Sequence, residues 1–277
     1  MSKFYSIYNF VRLLSLDVVL GACICSKFVA NYLQVDIQYS ILIALAMGVW
    51  LIYTGDHLID AHNTKHIASS FRHRFHQKYF KAIAAVWVCV LAVSVFPLLY
   101  LPLITIKWGV ILTISVIVYY LSLQLLGVKW GYVKEIAIAV IYSIGIFLGP
   151  ATINPNQMGT DLVLMFLFFV FIAFINLLLF SLYERKQDCE DDYASMPRLI
   201  GDKNSYWLIV VATLSASFVL IAHSYMYPNP KSVAILLAIM LITLISIAAF
   251  RPYFSLNERY RILGDAIFIF PVIGIWI

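Results

Sequence analysis

Long apolar runs, each closed by a short polar gap, recur from one end of this chain to the other. The plainest stretches from Leu162 to Leu182 without a charged residue. A helix needs about 20 apolar residues to cross the hydrocarbon core of a bilayer. A segment in lipid must also satisfy its own backbone hydrogen bonds, so even the run rich in β-branched residues, Leu103 to Leu126, reads as helix. With 63% hydrophobic and 12% charged residues, the chain lies far from a soluble domain, which is nearer half apolar and a quarter charged. The expected fold class is therefore all-α: a polytopic membrane protein whose helices form a single transmembrane domain over residues 1–277.

Nine spans are expected. They run from about Phe10 to Ala30, Ile37 to Gly55, Tyr79 to Phe96, Leu103 to Leu126, Lys134 to Leu148, Leu162 to Leu182, Tyr206 to Tyr225, Ser232 to Phe250 and Ile262 to Ile277. Basic residues set the orientation of such a chain. All but Lys27, Lys107 and Lys231 of the 19 lysines and arginines fall in gaps on one side of this nine-span arrangement, Lys3 included. That side is the cytoplasmic one, so the N-terminus is expected in the cytoplasm of a plasma or inner membrane. No secretory cleavage pattern is expected, because the first apolar run is long and lacks small residues at its end. The net charge of +5 is scattered in short gaps and is no footprint for nucleic acid. Cys23, Cys25 and Cys89 sit in apolar runs and Cys189 stands alone in a polar stretch, so neither disulfides nor a zinc site are expected.

Against this background the acids are conspicuous. Just beyond Leu182 come Glu184, Asp188, Glu190, Asp191 and Asp192. Glu184, Asp188 and Asp192 are spaced four apart, so a continuing helix would stack them along one side. Like charges at that spacing repel, and a hard divalent cation held by carboxylate oxygens would resolve the repulsion. Glu190 and Asp191 fall off this register and read as solvated. A second, shorter copy, Asp56 and Asp60, closes the second apolar run. By the orientation above, both acidic stretches face the cytoplasm. Asp17 and Asp265 lie inside apolar runs, where ionisable groups are costly, and are expected to pair with Arg12 or Arg261.

Paired acidic motifs after the second and sixth of nine spans resemble the UbiA superfamily of intramembrane prenyltransferases. Asp56 and Asp60 match the two aspartates of the family's first motif, NxxxDxxxD; Glu184, Asp188 and Asp192 match the second, DxxxDxxxD, with Glu in first place. The run from Asp192 to Asp202, with Gly201 near its end, resembles the continuation of that motif, and Arg72-His73-Arg74 stands where the family often has basic residues. One position departs from the pattern: the first-motif Asn is Ile52, with Thr54 or Asn63 as candidate substitutes.

The resemblance implies a chemistry. An enzyme of this kind moves a prenyl group from an isoprenyl diphosphate to a lipophilic acceptor, aromatic compounds among them, within the lipid bilayer. Asp56, Asp60, Asp188 and Asp192 would be the catalytic acids and, with Glu184, the ligands of Mg²⁺, which acts as Lewis acid and template on the leaving diphosphate. Arg72, Arg74 and Lys134 would bind the diphosphate, with Arg198 and Lys203 behind them. Tyr119, Tyr120 and Tyr142 would turn aromatic faces toward the allylic cation.

Other readings remain open. A transporter with acidic gates, or an inactive UbiA-like scaffold, would share the topology, although transporters tend to break their helices at mid-membrane. The histidines suggest a third reading. Five of the six lie between residues 56 and 78, and His62-x-x-x-His66 and His73-x-x-His76 resemble boxes of membrane di-iron oxygenases. Such enzymes draw histidines from several loops, whereas here only His223 lies elsewhere.

Overall fold

The computed structural model describes residues 10–155, 159–227 and 231–275, and every regular element among them is helical. Lys3 and the last residues of the ninth apolar run, Trp276 and Ile277, lie outside the described residues. In chain order the helices are α1 (Leu16–Tyr32), α2 (Tyr39–Asn63), α3 (Phe71–Lys78), α4 (Phe80–Val93), α5 (Val95–Leu98), α6 (Leu103–Leu126), α7 (Lys134–Ile153), α8 (Thr160–Glu190), α9 (Met196–Met226), α10 (Lys231–Ala249), α11 (Arg251–Ser255) and α12 (Arg259–Ala266).

Seven helices among the described residues are long and apolar enough to cross a membrane, counting α4 and α5 as one. The first apolar run adds α1, whose 17 residues rise about 25 Å. The last run does not form the continuous ninth span expected: it breaks into the eight residues of α12 and a 3₁₀ segment, Phe270–Ile275. Hydropathy cannot register that break, because from Ile262 to Ile275 the sequence carries a single charged residue, Asp265, and passes as one run.

α8 is the axis of the bundle. Of its apolar window 56% is buried inside the protein, against 11% for the α4–α5 segment. Its inward residues Met165, Phe168, Phe169, Ile172, Ile175, Leu178, Leu179 and Leu182 are nearly inaccessible and pack against α7, α9 and α10. α4 and α6 instead leave Val86, Val88, Leu91, Ile111, Ile114 and Leu121 on the outside. That surface suits lipid, and the hydroxyls on it hold themselves in place: Thr113, Ser115 and Ser122 each donate to the carbonyl four residues back, at 2.9, 3.0 and 2.8 Å. Such back-bonding satisfies a hydroxyl without water.

Helix length positions the chemistry. The 31 residues of α8 rise about 46 Å, well beyond the hydrocarbon core of a bilayer. The helix therefore continues past Leu182 and carries Glu184 and Asp188 on its emergent end. α9, also 31 residues, is broken at Gly201, whose φ of 79° belongs to the left-handed region that glycine adopts without a side-chain clash. The turn from Met196 to Gly201 can thus lie across the end of the bundle. Glu135, on the first turn of α7, caps it by accepting a 2.9 Å bond from the Met196 N–H.

Candidate functional site: a carboxylate-lined cavity

One cavity of about 160 Å³ collects groups from both acidic motifs. From α2 come Tyr53, Asp56, His57 and Asp60, a helical face at spacings of three and four. From α8 come Asn176, Phe180, Glu184 and Asp188, a ladder at spacings of four. Arg72 and His73 of α3, Lys134, Glu135 and Tyr142 of α7, Arg261 and Asp265 of α12, together with Tyr193 and Phe268, complete the charged and aromatic lining.

Side-chain contacts between the two polar segments hold the motifs together. Asp191 is buried and accepts from the Ser69 N–H at 2.9 Å and from His66 at 3.0 Å. Tyr193 and Thr64 share a 2.7 Å hydroxyl hydrogen bond. The loop between α2 and α3 is also closed internally: Gln77 accepts from Ala68 N–H at 3.0 Å and donates to the His66 carbonyl at 2.9 Å, and Ser70 caps α3 through the His73 N–H. Asp191 is thus a structural clamp, not the solvated acid expected, because the helix ends at Glu190 and the chain turns it inward. Glu190 stays exposed and accepts from the Ser69 hydroxyl at 2.9 Å.

The acids differ in what they meet. Glu184 accepts from the Arg261 guanidinium through both oxygens, and from the Tyr260 hydroxyl at 2.6 Å. Asp192 leaves the ladder. It follows the last turn of α8 with φ of 60°, its side chain is 78% exposed, and it binds Arg198 at 2.5 Å. It does not line the cavity, so the third member of the expected metal set is displaced by the end of the helix. Asp56 and Asp188 form no ion pair among the described residues, and the one partner of Asp60 is His73 at 3.8 Å. Lys134 lines the same cavity without an ion pair to any of them. Asp56, Asp60 and Asp188 thus share one buried space with no lysine or arginine at ion-pair distance, a hard oxygen donor set of the kind that suits a small divalent cation.

The basic and aromatic expectations divide in the same way. Arg72 lines the cavity and donates to His57 Nε2 at 3.3 Å. Arg74, on the outer face of α3, is exposed and reaches only the Ala68 carbonyl, at 3.5 Å. Arg198 is held by Asp192 and the Tyr193 carbonyl, and Lys203 is exposed. Tyr142 faces the cavity, edge-on to Phe268 with ring centroids 5.2 Å apart. Tyr119 and Tyr120 do not: Tyr119 is buried, and Tyr120 donates to the Ile52 carbonyl at 2.8 Å, tying α6 to α2. Ile52, Thr54 and Asn63 are all absent from the lining. The amide that does face the cavity is Asn176 of α8, which continues the acidic ladder two turns back. Neither Asp17 nor Asp265 takes the arginine expected of it, since Arg12 binds Glu258 and Arg261 binds Glu184.

The two histidine boxes do not assemble. His62 and His66 line a separate surface groove with Lys65 and Phe80. His57, Asp60 and His73 bring one ligand atom each within 4.8 Å of one another, inside the main cavity. Burial, then the charges of Arg72 and Arg261, push the His73 pKa down to about 3, and burial likewise lowers His76. His73 is therefore neutral at physiological pH.

Solved structures of two proteins share this fold. A UbiA homolog from Aeropyrum pernix K1, in its apo form, superposes with a TM-score of 0.69 over 93% of this chain and 96% of that one, at 14% identity. A UbiA homolog from Archaeoglobus fulgidus, solved with GPP and Mg²⁺, gives 0.68 over 97% and 99%, at 12% identity, and its complex with DMAPP and Mg²⁺ gives 0.65. No curated protein is similar enough in sequence to match. The model of the UbiA prenyltransferase family matches residues 54–260, from two residues before Asp56 through the second acidic motif and on into α12. The chain belongs to the UbiA prenyltransferase family.

Proposed function

We propose that this protein is a Mg²⁺-dependent intramembrane prenyltransferase that moves a prenyl group from an isoprenyl diphosphate to a lipophilic acceptor. The observation that carries the reading is the convergence of Asp56, Asp60 and Asp188 on one cavity with no basic side chain bonded to Asp56 or Asp188. The relatives solved with GPP or DMAPP and Mg²⁺ support it, because they share the fold over nearly the whole chain.

Asp56, Asp60 and Asp188 would hold Mg²⁺, which supplies Lewis-acid stabilisation of the negative charge on the departing diphosphate. Glu184 takes a different part here from the one its spacing implies: it fixes Arg261, whose remaining guanidinium face lines the cavity. Arg72, Arg261 and Lys134 hold the phosphate oxygens and draw charge from the breaking C–O bond. Tyr53 and Tyr142 present ring faces that stabilise the allylic cation without attacking it. The ladder of Asn176, Phe180, Glu184 and Asp188 on α8 carries the surface from apolar to charged, so the prenyl tail lies among the helices while the diphosphate stays at the polar end.

The membrane orientation belongs to the same proposal: the cavity opens to the cytoplasm, a reading that the distribution of lysine and arginine supports. A reporter fused after Asp202 should read cytoplasmic and one fused after Asn156 external. Activity is tested with labelled geranyl diphosphate and purified protein in lipid nanodiscs. Label should enter an extractable lipid product from a membrane extract with Mg²⁺ present and not with a chelator. Equal incorporation in both conditions contradicts the reading.

A further inference from the structure

The surface groove that takes in His62 and His66 lies apart from the central cavity and measures about 490 Å³. Residues 64–79 join α2 to the α4–α5 segment, both long and apolar enough to cross a membrane, so the groove sits at the membrane surface. Its lining divides by chemistry. His62, Lys65 and His66 supply nitrogen donors, and no carboxylate lines it. Ala61, Ile67 and Phe80 supply apolar surface. Ile67 is 79% exposed, and Phe80 opens α4, part of the least buried of the seven membrane-length segments.

Neither Lys65 nor His62 has an ion-pair partner among the described residues. Gln77, by contrast, is spent on the loop itself, between the Ala68 N–H and the His66 carbonyl. Unpaired donors beside exposed apolar side chains, at the level where a span enters the bilayer, suit an amphiphile of negative charge. Phosphate oxygens accept from Lys65 and His62, and acyl chains cover Ile67 and follow the outer face of α4. A soluble anion would take the donors and leave Ile67 in water. A zwitterionic lipid would cover Ile67 but set its own cation against Lys65.

We propose that this groove binds one anionic phospholipid, with its headgroup phosphate on Lys65 and His62 and its chains against Ile67 and α4. The bound lipid also bears on the clamp between the acidic motifs. His66 lines the groove and pairs with Asp191 Oδ1 at 3.0 Å, and the Ser69 N–H, three residues on, donates to the same carboxylate at 2.9 Å. A headgroup held there fixes the loop that leads into α3, which carries Arg72 and His73 to the central cavity. A ligand that binds only the folded chain raises its stability, so the lipid is read from melting, independently of any reaction in that cavity.

The test follows the thermal midpoint of the full chain in a neutral detergent as dioleoylphosphatidylglycerol is titrated in. Dioleoylphosphatidylcholine and glycerol 3-phosphate serve as the zwitterionic and the chain-free probes. Phosphatidylglycerol should raise the midpoint saturably, and the other two should not at the same concentration. Lys65→Ala should weaken the apparent affinity about fivefold, the usual strength of one lysine at an anionic surface. Adding His62→Ala should weaken it further, and Lys65→Arg should respond as the wild type does. Lys203→Ala removes an exposed cation outside the groove and should also respond as the wild type does. Where Lys65→Ala itself melts early, native mass spectrometry decides: one phosphatidylglycerol fewer than on the wild type supports the site, and equal occupancy overturns it. No shift with phosphatidylglycerol, equal shifts from the two lipids, a full shift from glycerol 3-phosphate, or equal loss in Lys203→Ala and Lys65→Ala each overturn it.

Discussion

The two acidic motifs look alike in sequence and are used differently. On α2, both acids of the register, Asp56 and Asp60, face the cavity without a basic residue bonded to either beyond the distant His73. On α8, the same spacing yields three different environments. Glu184 is neutralised by Arg261 and Tyr260, Asp188 stays free in the cavity, and Asp192 is carried outside by the end of the helix. Spacing determines which face of a helix an acid shares. Whether that acid is available for a cation depends on partners distant in sequence, here 77 residues away.

That contrast can be broken by substitution, beginning with the largest effect. Asp60→Asn and Asp188→Asn should each lower turnover about 100-fold or more, as loss of one preorganised charge contact does. The double variant should be little worse than either single one, because one cluster has been disabled. Steady-state rates with geranyl diphosphate at saturating Mg²⁺ decide this, and effects that multiply would place the two acids in separate functions.

Glu184→Gln should act on stability before chemistry. Removing one partner of a buried ion pair costs about 3 kcal/mol or more, because the other charge is left behind. A lowered thermal midpoint with Mg²⁺ affinity retained is expected; loss of Mg²⁺ affinity at unchanged stability would return Glu184 to the metal set.

A smaller effect concerns pH. His73 has a folded pKa of about 3, below the ordinary histidine value near 6.5. The unfolded chain therefore binds the extra proton first as pH falls, and stability declines from about pH 6.5 downward rather than rising. The thermal midpoint should drop between pH 7 and pH 5, and His73→Asn should flatten that drop. An unchanged slope would assign it to other groups.

The smallest effect is expected at Asp192. An exposed ion pair such as Asp192–Arg198 contributes about 1 kcal/mol or less. Asp192→Asn should leave turnover and melting near wild type.

Much of this was legible from residue spacing. The all-helical class follows from the uncharged runs, and the approach of Asp56, Asp60 and Asp188 follows from two motifs at the ends of two parallel spans. What sequence could not supply was the end of α8. Nothing local marks Glu190 as its last residue, yet that terminus turns Asp191 inward and Asp192 outward. Tyr119 and Tyr120 were misplaced for a related reason: in a membrane helix the apolar character is uniform around the axis, so it does not say which tyrosine faces a cavity and which a neighbouring helix. Tyr53 and Asn176 did carry a signal, since each continues the helical spacing of an acid, at three residues before Asp56 and eight before Glu184. Arg261 and Asp265 share an i, i+4 face as well, but that spacing reads as a pairing near the membrane surface and not as two groups on a cavity.

The most direct test compares Asp188→Asn with Asp192→Asn in Mg²⁺-dependent binding of geranyl diphosphate. The two share a register in sequence and differ in surroundings. The account predicts that Asp188→Asn abolishes the Mg²⁺-dependent component while Asp192→Asn binds as the wild type does. Equal loss in the two variants, or full binding by both, would contradict it.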